Sequence, residues 1–142
     1  KSKCQVKTIT LRTLLKQFNI TTVNYLKIDA EGLDLMVLKS FPFDSQRPDI
    51  VITEFEDLKT KQLGYNYIDL SNYLRRFDYI IYLSEWHPIK EYGLKHDWKK
   101  IVKFSDDLTI DPNAWGNIIG VSPDKISHFE FALNSYKKNI TR

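Results

Sequence analysis

Acidic residues stand where two strand patterns end. Asp29 and Glu31 close Tyr25-Leu26-Lys27-Ile28-Asp29-Ala30-Glu31-Gly32, and Glu54 and Glu56 follow the apolar run Ile50-Val51-Ile52. In open α/β sheets, ligands occupy the crevice beyond the carboxyl ends of the strands, so acids there meet ligand more readily than acids elsewhere. A carboxylate in that position can orient a polar ligand or take up a proton. If the two strands are neighbours, about 4.8 Å apart, Asp29 and Glu54 converge on one small ligand. A structural alternative stands beside each reading: Asp29 or Glu31 can cap the helix that follows, where the helix dipole favours negative charge. Lys27, in mid-strand, suits an ion pair better than catalysis.

Rings form a second group. Trp86, His87, His96, Trp98 and Trp115 fall within one polar stretch. Indole rings there can stack on a sugar, and either histidine can act as a base because imidazole titrates near neutral pH. Two histidines nine residues apart match no standard zinc spacing, so no metal is expected. His128 reads as a surface residue of the last helix.

The elements that must position these groups follow from periodicity. Thr10 is an N-cap for a helix with Leu11, Leu14, Leu15 and Phe18 on one face, and Asn19 ends it. Val6 to Thr8 ahead of it is β-prone. Leu33 to Lys39 reads as a helix stopped by Phe41-Pro42, so Tyr25 to Ile28, this helix and Ile50 to Glu54 form a βαβ unit with parallel strands. A polar connection, Asp57 to Asn66, leads to a helix carrying Ile68, Leu70, Tyr73, Leu74 and Phe77. Tyr79 to Leu83 is a third strand, Ile101 to Phe104 a modest one inside the polar stretch, and Asn117 to Val121 the last. Ser122-Pro123 then opens a helix with Ile126, Phe129, Leu133 and Tyr136 facing inward.

The 142 residues suffice for a single core and suggest one domain. A net charge of +3, with both signs interspersed, gives no argument for a nucleic-acid partner. No apolar run approaches the ~20 residues that span a bilayer, and the single Cys4 excludes an intrachain disulfide. These features predict a soluble, cytoplasmic protein with no membrane partner.

Leu26-Lys27-Ile28-Asp29-Ala30-Glu31-Gly32 resembles the most recognisable motif of the FkbM family of S-adenosylmethionine-dependent methyltransferases, and Ile50 to Glu54 looks like that family's next strand with its terminal acid. Ser84-Glu85-Trp86-His87-Pro88, Tyr92-Gly93, His96-Asp97-Trp98 and Ala114-Trp115-Gly116-Asn117 are similar to elements of a bacterial branch, so the resemblance runs from about Val6 to Val121. It implies an α/β, Rossmann-like class I methyltransferase fold, of which this chain would be the C-terminal portion, strands four to seven, with an aromatic-rich insertion over the ligand edge. The family's glycine-rich cofactor turn and the acid that holds the ribose have no counterpart here.

The resemblance also implies an activity, transfer of a methyl group from S-adenosylmethionine to a hydroxyl of a glycan or secondary metabolite. Asp29, Glu54 or His87 would then act as base, Asp29 and Glu31 would meet the cofactor, and Glu56, Trp86, His96 and Trp115 the small-molecule or glycan acceptor. The alternative is a non-catalytic module of the same fold that binds a glycan or a protein. On the fragment reading, the open edge of Tyr25 to Ile28 is expected to drive self-association, and cofactor binding by this chain alone is expected to be weak.

Overall fold

The computed structural model describes residues 4–89, 91, 93 and 95–140; Tyr92 of the Tyr92-Gly93 element lies outside the described residues. The elements run α1 (Leu11–Gln17), β1 (Tyr25–Ile28), α2 (Asp34–Lys39), β2 (Ile50–Glu56), α3 (Asp57–Thr60), α4 (Tyr67–Arg75), β3 (Ile80–Trp86), β4 (Trp98–Lys103), β5 (Trp115–Val121) and α5 (Ile126–Ile140). Local chemistry sets several boundaries. The Thr10 side chain accepts the Thr13 N–H at the start of α1, and the left-handed Asn19 (φ 54°) turns the chain away after it. At α4 the Asn66 side chain accepts from Ile68 and Asp69 while the Asp69 carboxylate accepts the Asn66 N–H, a reciprocal box worth about 1 kcal/mol.

The strands form one sheet in the order β1-β2-β5-β3-β4. β1 and β2 are parallel, with Ile28 opposite Thr53, as the βαβ pattern requires. β5 lies antiparallel between β2 and β3, and β4 pairs antiparallel with β3 at the far edge. One face holds the core: Val51, Phe55, Leu83 and Ile118 pack under Leu38 of α2 and Leu70 and Leu74 of α4, all at most 1% exposed. Burying each such side chain stabilises the fold by about 1.5–3 kcal/mol. On the opposite face, α5 sets Phe129 against Tyr82 and Tyr136 against Trp98.

Three sequence expectations change. Val6 to Thr8 is exposed and forms no strand, since a short segment without a ladder partner gains nothing to offset its ordering. The connection from Asp57 to Asn66 is largely helical; its polar residues are adequate helix formers, and the run stops at the left-handed Gly64. Tyr136 is 57% exposed despite its helical spacing. Among the described residues no helix is long and apolar enough to cross a membrane.

Two features lock the distal half of the sheet. Gly116 lets β5 approach β3 closely, because a Cβ there would lie 1.9 Å from the Ser84 carbonyl oxygen. Beside it, the fully buried Glu85 meets Lys99 at 2.6 Å, Lys100 at 3.2 Å and the Asp111 N–H at 3.3 Å. Burial alone would push the Glu85 carboxyl up, but the two lysines and the Asp111 amide outweigh it and hold the group below its usual range. A depressed carboxyl contributes stability that is present above the unfolded-state value of about 4.3 and is lost as pH falls through the folded value. Glu85→Gln is therefore expected to flatten the acid side of the stability–pH curve, and Gly116→Ala to cost about 2–3 kcal/mol by overpacking. Chemical denaturation across pH checks both.

Candidate functional site

The site grows from the end of β1. Because Ile28 pairs with Thr53, Asp29 comes beside Glu54 at the carboxyl edge of the sheet. The chain then turns through Glu31 (φ 49°) and Gly32 (φ 93°). A left-handed non-glycine residue costs on the order of 1 kcal/mol or more and persists only when its surroundings hold it. Here a buried acid does so. Asp34, 2% exposed, accepts the Ala30 N–H at 3.2 Å and the Gly32 N–H at 3.1 Å, and the Tyr65 hydroxyl donates to the Gly32 carbonyl at 2.6 Å.

This arrangement corrects the capping alternatives. Leu33 occupies the N-cap of α2, and no side chain caps that helix. Asp29 instead pairs with Lys27 at 3.1 Å, the structural ion pair expected of that lysine, and both are exposed. Glu31 projects outward and pairs with Lys59 of α3 at 2.8 Å; the same ammonium holds Glu56 at 2.7 Å. Those two hydrogen bonds, to Glu31 first and Glu56 second, raise the Lys59 pKa.

Glu54 is left differently. It is partly buried on the sheet face shared with Asn117 and Ser84, which lie opposite one another across β2, β5 and β3. Burial first, then the charges of Asp29 and Asp34, push its carboxyl up to about 7, while Lys59 pulls in the other direction. No hydrogen bond or ion pair engages it among the described residues. A carboxyl poised near neutral pH is an effective acceptor of a proton.

The aromatic group adjoins the acids at one point. Glu56 lies opposite Trp115, which lies opposite Trp86. The two indoles stack with centroids 5.4 Å apart, and the His96 ring meets Trp115 edge-on at 5.3 Å. A cavity of about 390 Å³ opens between Glu56, Leu58, Pro88, Ile89, Asn113 and Trp115. His87 serves through its backbone: its carbonyl accepts the Trp115 indole N–H at 3.1 Å, and its N–H donates to the Asp97 carbonyl at 3.0 Å. The exposed His87 residue lines a different cavity, with Asp97 and Trp98. Glu31 and Glu56 thus hold Lys59 with Glu54 nearby, Asp29 holds Lys27, and Trp115 lines the neighbouring cavity with Trp86 and His96 packed against its ring and its indole N–H on the His87 carbonyl.

Sequence reasoning missed Asp34, Lys59 and Tyr65. For Asp34 the signal was present, an acid two residues after the turn glycine; Tyr65 lies 33 residues from the carbonyl it binds and gives none. Among the described residues no group of three or more His, Cys, Asp or Glu side chains could hold a metal ion.

A family model described as the methyltransferase FkbM domain matches residues 1–81, a span that contains Asp29, Glu31, Asp34, Glu54, Glu56, Lys59 and Tyr65 and ends before Trp86, His87, His96 and Trp115. No curated protein and no solved structure matches the chain. The matched span covers more than half of the 142 residues and includes every acid of the site, and the chain belongs to the FkbM methyltransferase family.

Proposed function

We propose that the acid-lined crevice is part of a methyl-transfer site in which Glu54 takes the proton from an acceptor hydroxyl and S-adenosylmethionine is the donor. The observation behind this reading is the state of Glu54: partly buried, unpaired and near neutral in pKa, beside an exposed Asp29. The strand order supports placing the sheet in the class I methyltransferase fold, with β1, β2, β3 and β5 as its fourth, fifth, sixth and seventh strands; that placement is an argument by analogy.

The family generally uses S-adenosylmethionine, which brings an electrophilic methyl group on a sulfonium cation. The residues present fit such a group. Among the described residues the cations beside Asp29, Glu31, Asp34 and Glu54 are Lys27 and Lys59, so the crevice favours a cation. Asp29 and Glu31 are the residues placed to hold it. An attacking hydroxyl would form its carbon–oxygen bond as the methyl–sulfur bond of the donor breaks, leaving a neutral thioether, and Glu54 would receive the proton that the hydroxyl sheds. The cavity beside Glu56 and Trp115 suits a glycan or small polyol, with an indole for its apolar face and Asn113 and Glu56 for its hydroxyls. The stacked Trp86 and Trp115 favour the second reading, glycan binding without transfer; incubation with a hydroxylated acceptor and labelled donor distinguishes the two by whether label moves.

On this account the transfer rate rises with pH through about 7 as Glu54 ionises. Glu54→Gln is expected to lower the rate by about 10²-fold or more. A carboxyl whose folded pKa is raised contributes stability below its unfolded value and loses it as pH rises through the folded value. The same variant should therefore be more stable than the parent above pH 7, by about 1 kcal/mol once solvent screening is allowed for. An active, destabilised Glu54→Gln protein would contradict the assignment. Asp29→Asn should lower the rate much more than the denaturation midpoint. Lys59→Met removes a cation that lowers the Glu54 pKa, so the rising limb of the rate–pH profile should move to higher pH; a fixed limb would dissociate it from Glu54.

A further inference from the structure

We propose that Asp34 and Tyr65 are the positioning residues of this site, Asp34 fixing the Asp29–Gly32 turn from inside while holding a second negative charge close to Glu54. The inference rests on the reading of Glu54 as the base.

The geometry is that of a clamp. Asp34 grips both amide hydrogens of the turn, and Tyr65 grips its carbonyl from the other side, so Ala30 and Gly32 are held at three points by two side chains that are themselves buried. Asp34 is at the start of α2 and Tyr65 just ahead of α4, both helices that pack on the sheet core. The turn is therefore tied to the rigid body of the fold. Neither residue stands on the sheet edge with the exposed acids. Their effect reaches a substrate through Asp29, Glu31 and Glu54.

The charges that face Glu54 can be named element by element. β1 supplies Lys27, the turn Asp29 and Glu31, α2 Asp34, β2 itself Glu56 and α3 Lys59, while β5 offers the uncharged Asn117. Lys27 is paired with Asp29, and Lys59 is shared between Glu31 and Glu56. Among the described residues the Asp34 carboxylate accepts from the Ala30 and Gly32 amides and forms no ion pair, and its charge raises the Glu54 carboxyl.

Carboxyl carbon NMR titration of the full chain tests this, with Glu54→Gln used to assign the Glu54 resonance. In the parent protein Glu54 should titrate at about 7. Asp34→Asn removes the charge and one acceptor. The Glu54 midpoint should then fall by about 0.5 or more in pH, and the amide hydrogens of Ala30 and Gly32 should exchange on the order of 10-fold faster. Tyr65→Phe leaves every charge in place and loosens the turn at the Gly32 carbonyl alone. It should speed the same exchange and lower the midpoint by less, and it decides the matter if Asp34→Asn does not fold. A folded Asp34→Asn protein with an unmoved midpoint, or a Tyr65→Phe protein with unchanged exchange, overturns the positioning role. A parent Glu54 that titrates at the ordinary value of about 4.3 removes the base reading itself, so the two failures are distinguishable.

Discussion

Parallel pairing of β1 with β2 forces like charges together. Once Ile28 lies opposite Thr53, the next residues on the two strands are Asp29 and Glu54, and the chain has to accommodate two carboxylates at one edge of the sheet. It does so by unequal treatment. Asp29 stays exposed and takes Lys27 as partner, Glu31 and Glu56 share Lys59, and Glu54 is partly buried with no hydrogen bond or ion pair among the described residues. Like charges that share a site push one pKa up. Here the one raised is Glu54, which is partly buried and has Asp29 and Asp34 nearby.

The rest of the fold keeps that arrangement from relaxing. Were the turn after Asp29 free to move, the acids would separate into water and Glu54 would return to ordinary behaviour; Asp34 and Tyr65 prevent this. On the other side of Glu54, β5 lies close against β3 at Gly116, and Glu85 ties β3 in turn to Lys99 and Lys100 of β4. The pairing of β5 with β2 sets Trp115 opposite Glu56, so the aromatic cavity adjoins the acids. Stability and site geometry meet in the same strand.

Much of this was legible in the residues. Alternating and continuous apolar runs gave β1, β2, β3 and β5, and Thr10 marked the start of α1 because its short polar side chain can satisfy a free amide hydrogen. Asp29 and Glu54 could be singled out because strand ends are fixed by local pattern. The reading failed where placement depends on distant partners. Val6 to Thr8 has strand-forming residues but no neighbour to pair with, and Asp57 to Asn66 looked like a loop because polarity was taken for irregularity. His87 was singled out by residue type, and the two backbone hydrogen bonds it makes, through its carbonyl and its amide, could not be read from that. Asp34 was not singled out within the Leu33 to Lys39 helix. Its place two residues after the turn glycine was a local signal, and its burial became visible only once α2 was seen packed on the sheet.

The central claim is that ligand and chemistry belong to the edge formed by the ends of β1 and β2. Amide proton–nitrogen NMR spectra of the chain, recorded during titration with S-adenosylhomocysteine, test it most directly. The account predicts saturable shifts concentrated in Asp29–Gly32 and in Thr53–Asp57, with the amides of β4 unmoved. Shifts confined to β4 and α5, or none up to the solubility of the ligand, would contradict it.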